Sequence, residues 1–233
     1  MRPILFLSFL IILFGQHFAQ KKQDFKLLFN AKFGTSDLKL NETYYKINKT
    51  DSIQIDVLKF YISGIEFLNN DKVVWKEKNS FHLVDFETIT PQTILLNIPA
   101  DLHVTNINFN LGIDSVTSTS GALAEDLDPT KGMYWAWQSG YINFKMEGTS
   151  PSCNTRKHQF QFHFGGYKKP YYAMQTITLP VTNFNKNTLT INFNVVPFFE
   201  TINLSQTNSI MIPGKEAMEL SKLIASLFYS NEN

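Results

Sequence analysis

One cysteine and two arginines stand among 233 residues, and each scarcity closes off a class of chemistry. Cys153 alone cannot build an internal disulfide framework, a four-thiolate zinc site or a thiolate-held iron–sulfur cluster. Arg2 and Arg156 are too few for bidentate clamping of phosphate or carboxylate to be a theme. Charge of one sign is missing too. The 21 Lys and Arg are matched by 20 Asp and Glu, so no net field points to nucleic acid or an anionic membrane as partner. There is no Gly-x-Ser-x-Gly elbow, no phosphate-cradling glycine loop and no His-Glu-x-x-His helix, and the chain is read as non-catalytic. No internal repeat and no linker rich in Pro, Gly or Ser divides it, which predicts one domain.

Apolar sequence is plentiful instead, at 43% hydrophobic and 14% aromatic. Residues 1–19 are read as an export signal. Arg2 supplies the positive start, Ile4 to Phe14 is almost unbroken apolar sequence, and Ala19 offers a small residue for cleavage. That run is too short to span a bilayer comfortably, and no cysteine near the cut can carry a lipid. Residues 20–233 are therefore expected as one mature domain without an integral membrane segment, periplasmic or secreted.

The dominant period after the signal is two. Phe25, Leu27, Phe29, Ala31 and Phe33 alternate with mostly polar residues, as do Ile53, Ile55 and Val57, then Ile107, Phe109 and Leu111. The rhythm returns at Ile142, Phe144 and Met146, at Phe160, Phe162 and Phe164, at Ile177, Leu179 and Val181, and from Leu189 to Val195. Val73 to Trp75 and Phe81 to Phe86 are shorter candidates, and Asn69-Asn70-Asp71 marks a turn. Strands with one buried face predict an all-β fold, an antiparallel β-sandwich of two sheets packed face to face. Two stretches break the rhythm. Asp114 to Gly132 reads as a long loop rich in Ser, Thr, Asp and Gly. Pro213-Gly214 introduces Leu220, Leu223, Ile224, Leu227 and Phe228, which share one helical face and predict a C-terminal helix from Lys215 to Phe228.

Candidate chemistry is thinly spread. Cys153 and His158 can be weighed as nucleophile and base, but the two are only five residues apart and no third group orients them, and a free thiol is the simpler reading. Glu125, Asp126 and Asp128 resemble the opening of a calcium loop, yet Lys131 stands where such a loop needs glycine; the alternative is a solvated acidic loop. Of the histidines, His17 belongs to the signal, while His82 and His103 each stand alone in strand-like sequence. His158 and His163 are separated by an odd number of residues and would face opposite sides of a regular strand.

The densest local feature is Met133-Tyr134-Trp135-Ala136-Trp137-Gln138-Ser139-Gly140-Tyr141. As packing it is an aromatic corner, with Trp135 and Trp137 on one strand face and Tyr134 and Ala136 on the other. As chemistry it is a cluster of easily oxidised side chains.

The stretch from Leu127 through Asp128-Pro129-Thr130-Lys131-Gly132 and this aromatic run, followed by Phe144-Lys145-Met146-Glu147-Gly148, closely resembles the signature of the MbnP-like family, methanobactin-associated copper-binding proteins. The resemblance continues at Phe162-His163-Phe164-Gly165-Gly166, where the family has a His-x-Gly strand, and at Met211-Ile212-Pro213-Gly214. Phe60-Tyr61-Ile62-Ser63 and Leu111-Gly112-Ile113 also look like family segments. The resemblance implies a periplasmic or secreted β-rich protein tied to copper. It further implies a di-haem partner enzyme, similar to cytochrome c peroxidases, that oxidises one tryptophan to kynurenine as a copper ligand beside histidine. Trp135 is favoured over Trp137 as that residue, His163 matches the strand histidine, and Met133 is a secondary ligand because Cu(I) accepts thioether. Neither the Trp135–Tyr141 run nor Met211–Gly214 contains a second histidine. The competing reading is a non-catalytic extracellular sandwich that binds a ligand or protein partner through the aromatic corner and the long loop.

Overall fold

The computed structural model of the chain describes residues 21–230 apart from 50, 89–91, 139, 183 and 185–186. The export-signal reading of residues 1–19 lies outside them. β1 (Lys22–Phe33) sends Phe25, Leu27, Phe29 and Ala31 inward on its period of two. Two short strands, β2 (Ser36–Asp37) and β3 (Tyr45–Lys46), precede β4 (Ser52–Asn69), the spine of the larger sheet. Asn70 and Asp71, both at positive φ, turn the chain into β5 (Lys72–Lys76); their short polar side chains tolerate that conformation. β6 (Phe81–Asp85), β7 (Gln92–Pro99) and β8 (Asn106–Leu111) follow.

The segment expected as one long loop is largely built from short helical turns: α1 (Ser115–Thr119) and two 3-10 turns at Glu125–Leu127 and Pro129–Lys131. Its Asp and Ser content, which reads as loop, is capping chemistry. The Asp114 side chain accepts from Thr117 N at 2.9 Å, and Asp128 accepts from Thr130 N at 2.8 Å. Then come β9 (Tyr134–Trp135), β10 (Gly140–Thr149), β11 (Gln159–Gly165), β12 (Gln175–Pro180) and β13 (Thr188–Asn194). The chain closes with α2 (Val196–Thr201), β14 (Ser209–Ile210), α3 (Lys215–Ala225) and β15 (Phe228–Ser230).

Two sheets face each other across a phenylalanine-rich core. The smaller runs β15-β13-β1-β2, with β7 also on β1; the larger runs β12-β8-β4-β10-β11-β14, with β3, β5 and β6 on β4 and β9 on β10. The expectation of purely antiparallel sheets is corrected here: β1 pairs with β13, and β11 with β14, in parallel. A period of two is the same in both pairings, so the sequence pattern carries no information on direction. Phe60 at the centre meets Phe144, Phe193 and Phe228 with ring centroids 5.3–6.1 Å apart, and such pairs add about 0.5–1.5 kcal/mol each beyond burial.

The terminal helix is shorter than its apolar face predicts. α3 stops at Ala225, where the Ser226 hydroxyl donates to Leu223 O at 2.7 Å, and Phe228 joins β15 opposite Phe193. Pairing the open edge of β13 satisfies backbone groups that another helical turn would have left unmatched on that strand. Among the described residues, no helix is long and apolar enough to cross a membrane.

Candidate functional site

A second, smaller apolar cluster lies on the outer face of the larger sheet. Tyr61 reaches it because Phe60 and Ile62, its neighbours on β4, both point into the main core. A register shift between Ile142 and Phe144 on β10 breaks the alternation there, and Tyr141 and Ile142 both enter the cluster with Met133, Leu127 and Trp135. The segment before the corner is tied to it by phenols: Tyr141 Oη donates to Leu127 O and Tyr61 Oη to Asp126 O, each at 3.0 Å. Burial pushes both phenols above their ordinary pKa.

Trp135 and Trp137 do not share a strand face. β9 pairs Tyr134 with Tyr141 and Trp135 with Gly140, so the strand ends at Trp135 and residues 136–138 lie in the turn that follows. Trp135 is buried at 5% exposure, whereas Trp137 on the turn is 63% exposed. The two rings remain neighbours, with centroids 5.9 Å apart and planes tilted by 50°.

The His-x-Gly strand explains how Trp135 is seated. Phe162 and Phe164 of β11 point into the main core, so His163 and Gly165 share the opposite face. A methyl group on Gly165 would come within 2.7 Å of Trp135 Cζ3 and 3.0 Å of Cη2. Only a residue without Cβ lets the six-membered edge of the indole lie on that backbone. The structure thus brings Trp135 and the His163 strand together on one surface.

His163 is buried, and its Nε2 lies 2.6 Å from Glu147 Oε1. Lys145, opposite His163 in the ladder, approaches the same carboxylate oxygen at 3.3 Å. The hydrogen bond from His163, with Lys145 beside it, holds the Glu147 carboxyl below the ordinary range against the opposing effect of burial. Asp56, burdened by burial and by Glu147, is pushed up. With Nε2 committed to Glu147, Nδ1 is the imidazole nitrogen not engaged by that carboxylate. Met133 is wholly buried in the corner. In the sequence Glu147 and Gly165 stand only as members of the family motifs, with no role of their own; the signal for Glu147 was the alternation that sets Lys145 and Glu147 opposite Phe144 and Met146.

The remaining candidates are not assembled into sites. The His158 ring meets the carbonyl of Cys153 at 3.0 Å through Nδ1, and burial pushes the Cys153 thiol up to about 11. Asp126 pairs with Lys131 at 2.6 Å and accepts from Leu83 N at 3.1 Å; Asp128 is a cap. His82 pairs with Glu77 at 2.9 Å and faces away from Phe81 and Leu83, which pack on the corner. Among the described residues no group of three His, Cys, Asp or Glu is placed to hold a metal ion.

Comparison with known proteins converges on one family. The MbnP family model matches residues 22–212. Among solved structures the chain is similar to MbnP from Methylosinus trichosporium, with 14% identity, a TM-score of 0.56, and coverage of 79% of this chain and 80% of that one. No curated protein sequence matches it. The matched residues run from β1 to just past β14 and take in the aromatic hairpin and the His163 strand: the chain belongs to the MbnP family.

Proposed function

We propose that the chain is an exported, non-catalytic copper-binding protein of the MbnP type, whose site forms at Trp135 and His163 once the Trp135 indole has been oxidised to kynurenine. The observation that carries this reading is the indole edge on Gly165, two residues along the same strand face from His163.

The donors present fit copper only in part. His163 has a carboxylate on one ring nitrogen, the arrangement that fixes the tautomer and orients the other nitrogen of a ligating imidazole. Met133 supplies a thioether, a donor suited to Cu(I). An intact indole offers no donor lone pair, which leaves a site short of ligands. Kynurenine adds an aniline nitrogen. Its formation balances as addition of dioxygen, or of two hydrogen peroxides with release of two waters, across the C2–C3 bond, which cleaves, followed by hydrolysis by one water that releases the formyl group as formate. The side chain exchanges one carbon for one oxygen. The proposed agent is a di-haem enzyme similar to cytochrome c peroxidases. Bound copper would supply redox and ligand chemistry, while the protein's part is to hold His163 through Glu147 and to seat residue 135.

A second reading, a sandwich that binds a ligand or partner by its aromatic corner, is favoured by one feature. Exposed Trp137 adjoins Gln138, which with Tyr167, Lys168, Tyr171 and Pro213 lines an open pocket of about 200 Å³.

The test compares copper stoichiometry in protein from the native host, recombinant protein, Trp135→Phe and His163→Gln, with peptide mapping of residue 135. Phenylalanine keeps apolar packing and removes the oxidisable indole. Native-host protein carrying the carbon-for-oxygen mass change should bind copper, and the other three should bind it weakly. If all four bind alike, or none binds, the copper site is wrong and the second reading replaces it.

A further inference from the structure

The aromatic corner contains two separate chains of touching rings. One runs Tyr134–Tyr141–Tyr61, with centroids 5.0 and 5.7 Å apart; the other is the pair Trp135–Trp137 at 5.9 Å. They differ in access and in proton chemistry. Tyr61 and Tyr141 are buried and donate their hydroxyl protons to backbone carbonyls. A phenol near neutral pH gives up its proton as it loses an electron, and a carbonyl oxygen is no base for it. An indole can lose an electron first and its N–H proton afterwards.

Trp135 is nearly inaccessible at 5% exposure, so no macromolecular oxidant can lay its own cofactor against it. Trp137, 63% exposed on the hairpin turn, has its ring centroid 5.9 Å from that of Trp135. Electron tunnelling falls off exponentially with separation, and this pair joins an exposed ring directly to residue 135.

We propose that Trp137 is the relay through which an oxidant docked at the hairpin turn removes an electron from Trp135. This rests on Trp135 being the oxidised residue. The oxidant, a high-valent haem of the peroxidase class, takes one electron from the Trp137 indole. The resulting Trp137 radical cation takes one electron from Trp135 and returns to its closed-shell state. The Trp135 radical cation then loses its indole N–H proton to water. In sum the haem is reduced by one electron, Trp135 is oxidised by one, and one proton is released; the Trp135 radical is then open to oxygen.

The full mature chain tests this without a partner. It is photo-oxidised in air-saturated buffer with a ruthenium polypyridyl and a cobalt(III) ammine as terminal electron acceptor, and oxygen incorporation is mapped by peptide mass spectrometry in the wild type and Trp137→Phe. Phenylalanine has no accessible one-electron oxidation. Oxygenation of Trp135 should fall roughly tenfold in the variant, equivalent to about 1.4 kcal/mol on the barrier to electron transfer. Labelling of Trp135 by small, freely diffusing hydroxyl radicals should be unchanged, because that route needs no relay. Equal photo-oxygenation of Trp135 in both proteins overturns the proposal. So does wild-type oxygen confined to Trp137, or a parallel fall in hydroxyl-radical labelling, which would mean that Trp137 acts only by packing. Native-host protein with unmodified Trp135 would sink the proposed function while leaving the photochemical answer standing.

Discussion

The six-membered edge of the Trp135 indole rests on the backbone of Gly165, so closely that a methyl group at position 165 would come within 2.7 Å of Cζ3. This contact ties the aromatic hairpin to the strand that carries His163. Neither end can shift freely: Tyr141 O also lies 2.7 Å from the same Cβ position.

Gly165→Ala should therefore destabilise the protein by about 1–3 kcal/mol, the usual penalty for overpacking a filled site. Denaturant midpoints measure the loss. Trp135 must move to admit the methyl, so its fluorescence should shift toward that of a hydrated indole. An unchanged spectrum and midpoint would show that the indole does not sit on this glycine.

Glu147 is held ionised by the His163 hydrogen bond, with Lys145 beside it, and its folded pKa is depressed below the ordinary 4.5. Its contribution is present above 4.5 and is lost as pH falls through the lower folded value. Glu147→Gln should thus lower stability near neutral pH by about 1–2 kcal/mol. The gap between variant and wild type should close in acid. Urea titrations across that range would contradict this if the gap stayed constant or widened.

Tyr141 Oη donates to Leu127 O and accepts from Leu123 N at 3.2 Å. Tyr141→Phe removes these bonds and the longer 3.5 Å contact with Gly121 O while leaving the ring, and should cost about 1–2 kcal/mol, chiefly by stranding the carbonyl of buried Leu127. The clearest readout is amide hydrogen exchange. Leu123 and its neighbours should lose protection, with β4 unaffected, and a uniform change over the whole chain would argue against a local tie.

Cys153 is buried with its thiol pushed up to about 11. In folded protein at about pH 8 it should resist aromatic disulfide reagents and react only on unfolding, since the thiolate is the reactive form. Rapid reaction in native buffer would place the thiol at the surface.

Most of the longer strands, their buried faces and the concentration of aromatics after Gly132 are legible from the sequence, whereas β7 (Gln92–Pro99) is not among the strands read there. Alternation is a local property of extended backbone, and Phe25-Leu27-Phe29 or Phe160-Phe162-Phe164 can bury one face in only one way. The family likeness is legible for the same reason, because its motif is nearly contiguous. Tertiary structure decided the rest. Pairing of β1 with β13 is parallel although their pattern permits either direction, and Phe228 left the helix for a strand edge that the local spacing cannot sense. Trp135 and Trp137, two residues apart and chemically identical, end at opposite extremes of exposure because the hairpin turns between them. The environment of His163 comes from Glu147, 16 residues upstream, and the seat of Trp135 from Gly165 on the next strand but one. Such contacts depend on strand register, which is set by the packing of the whole sheet and is not encoded in any one segment.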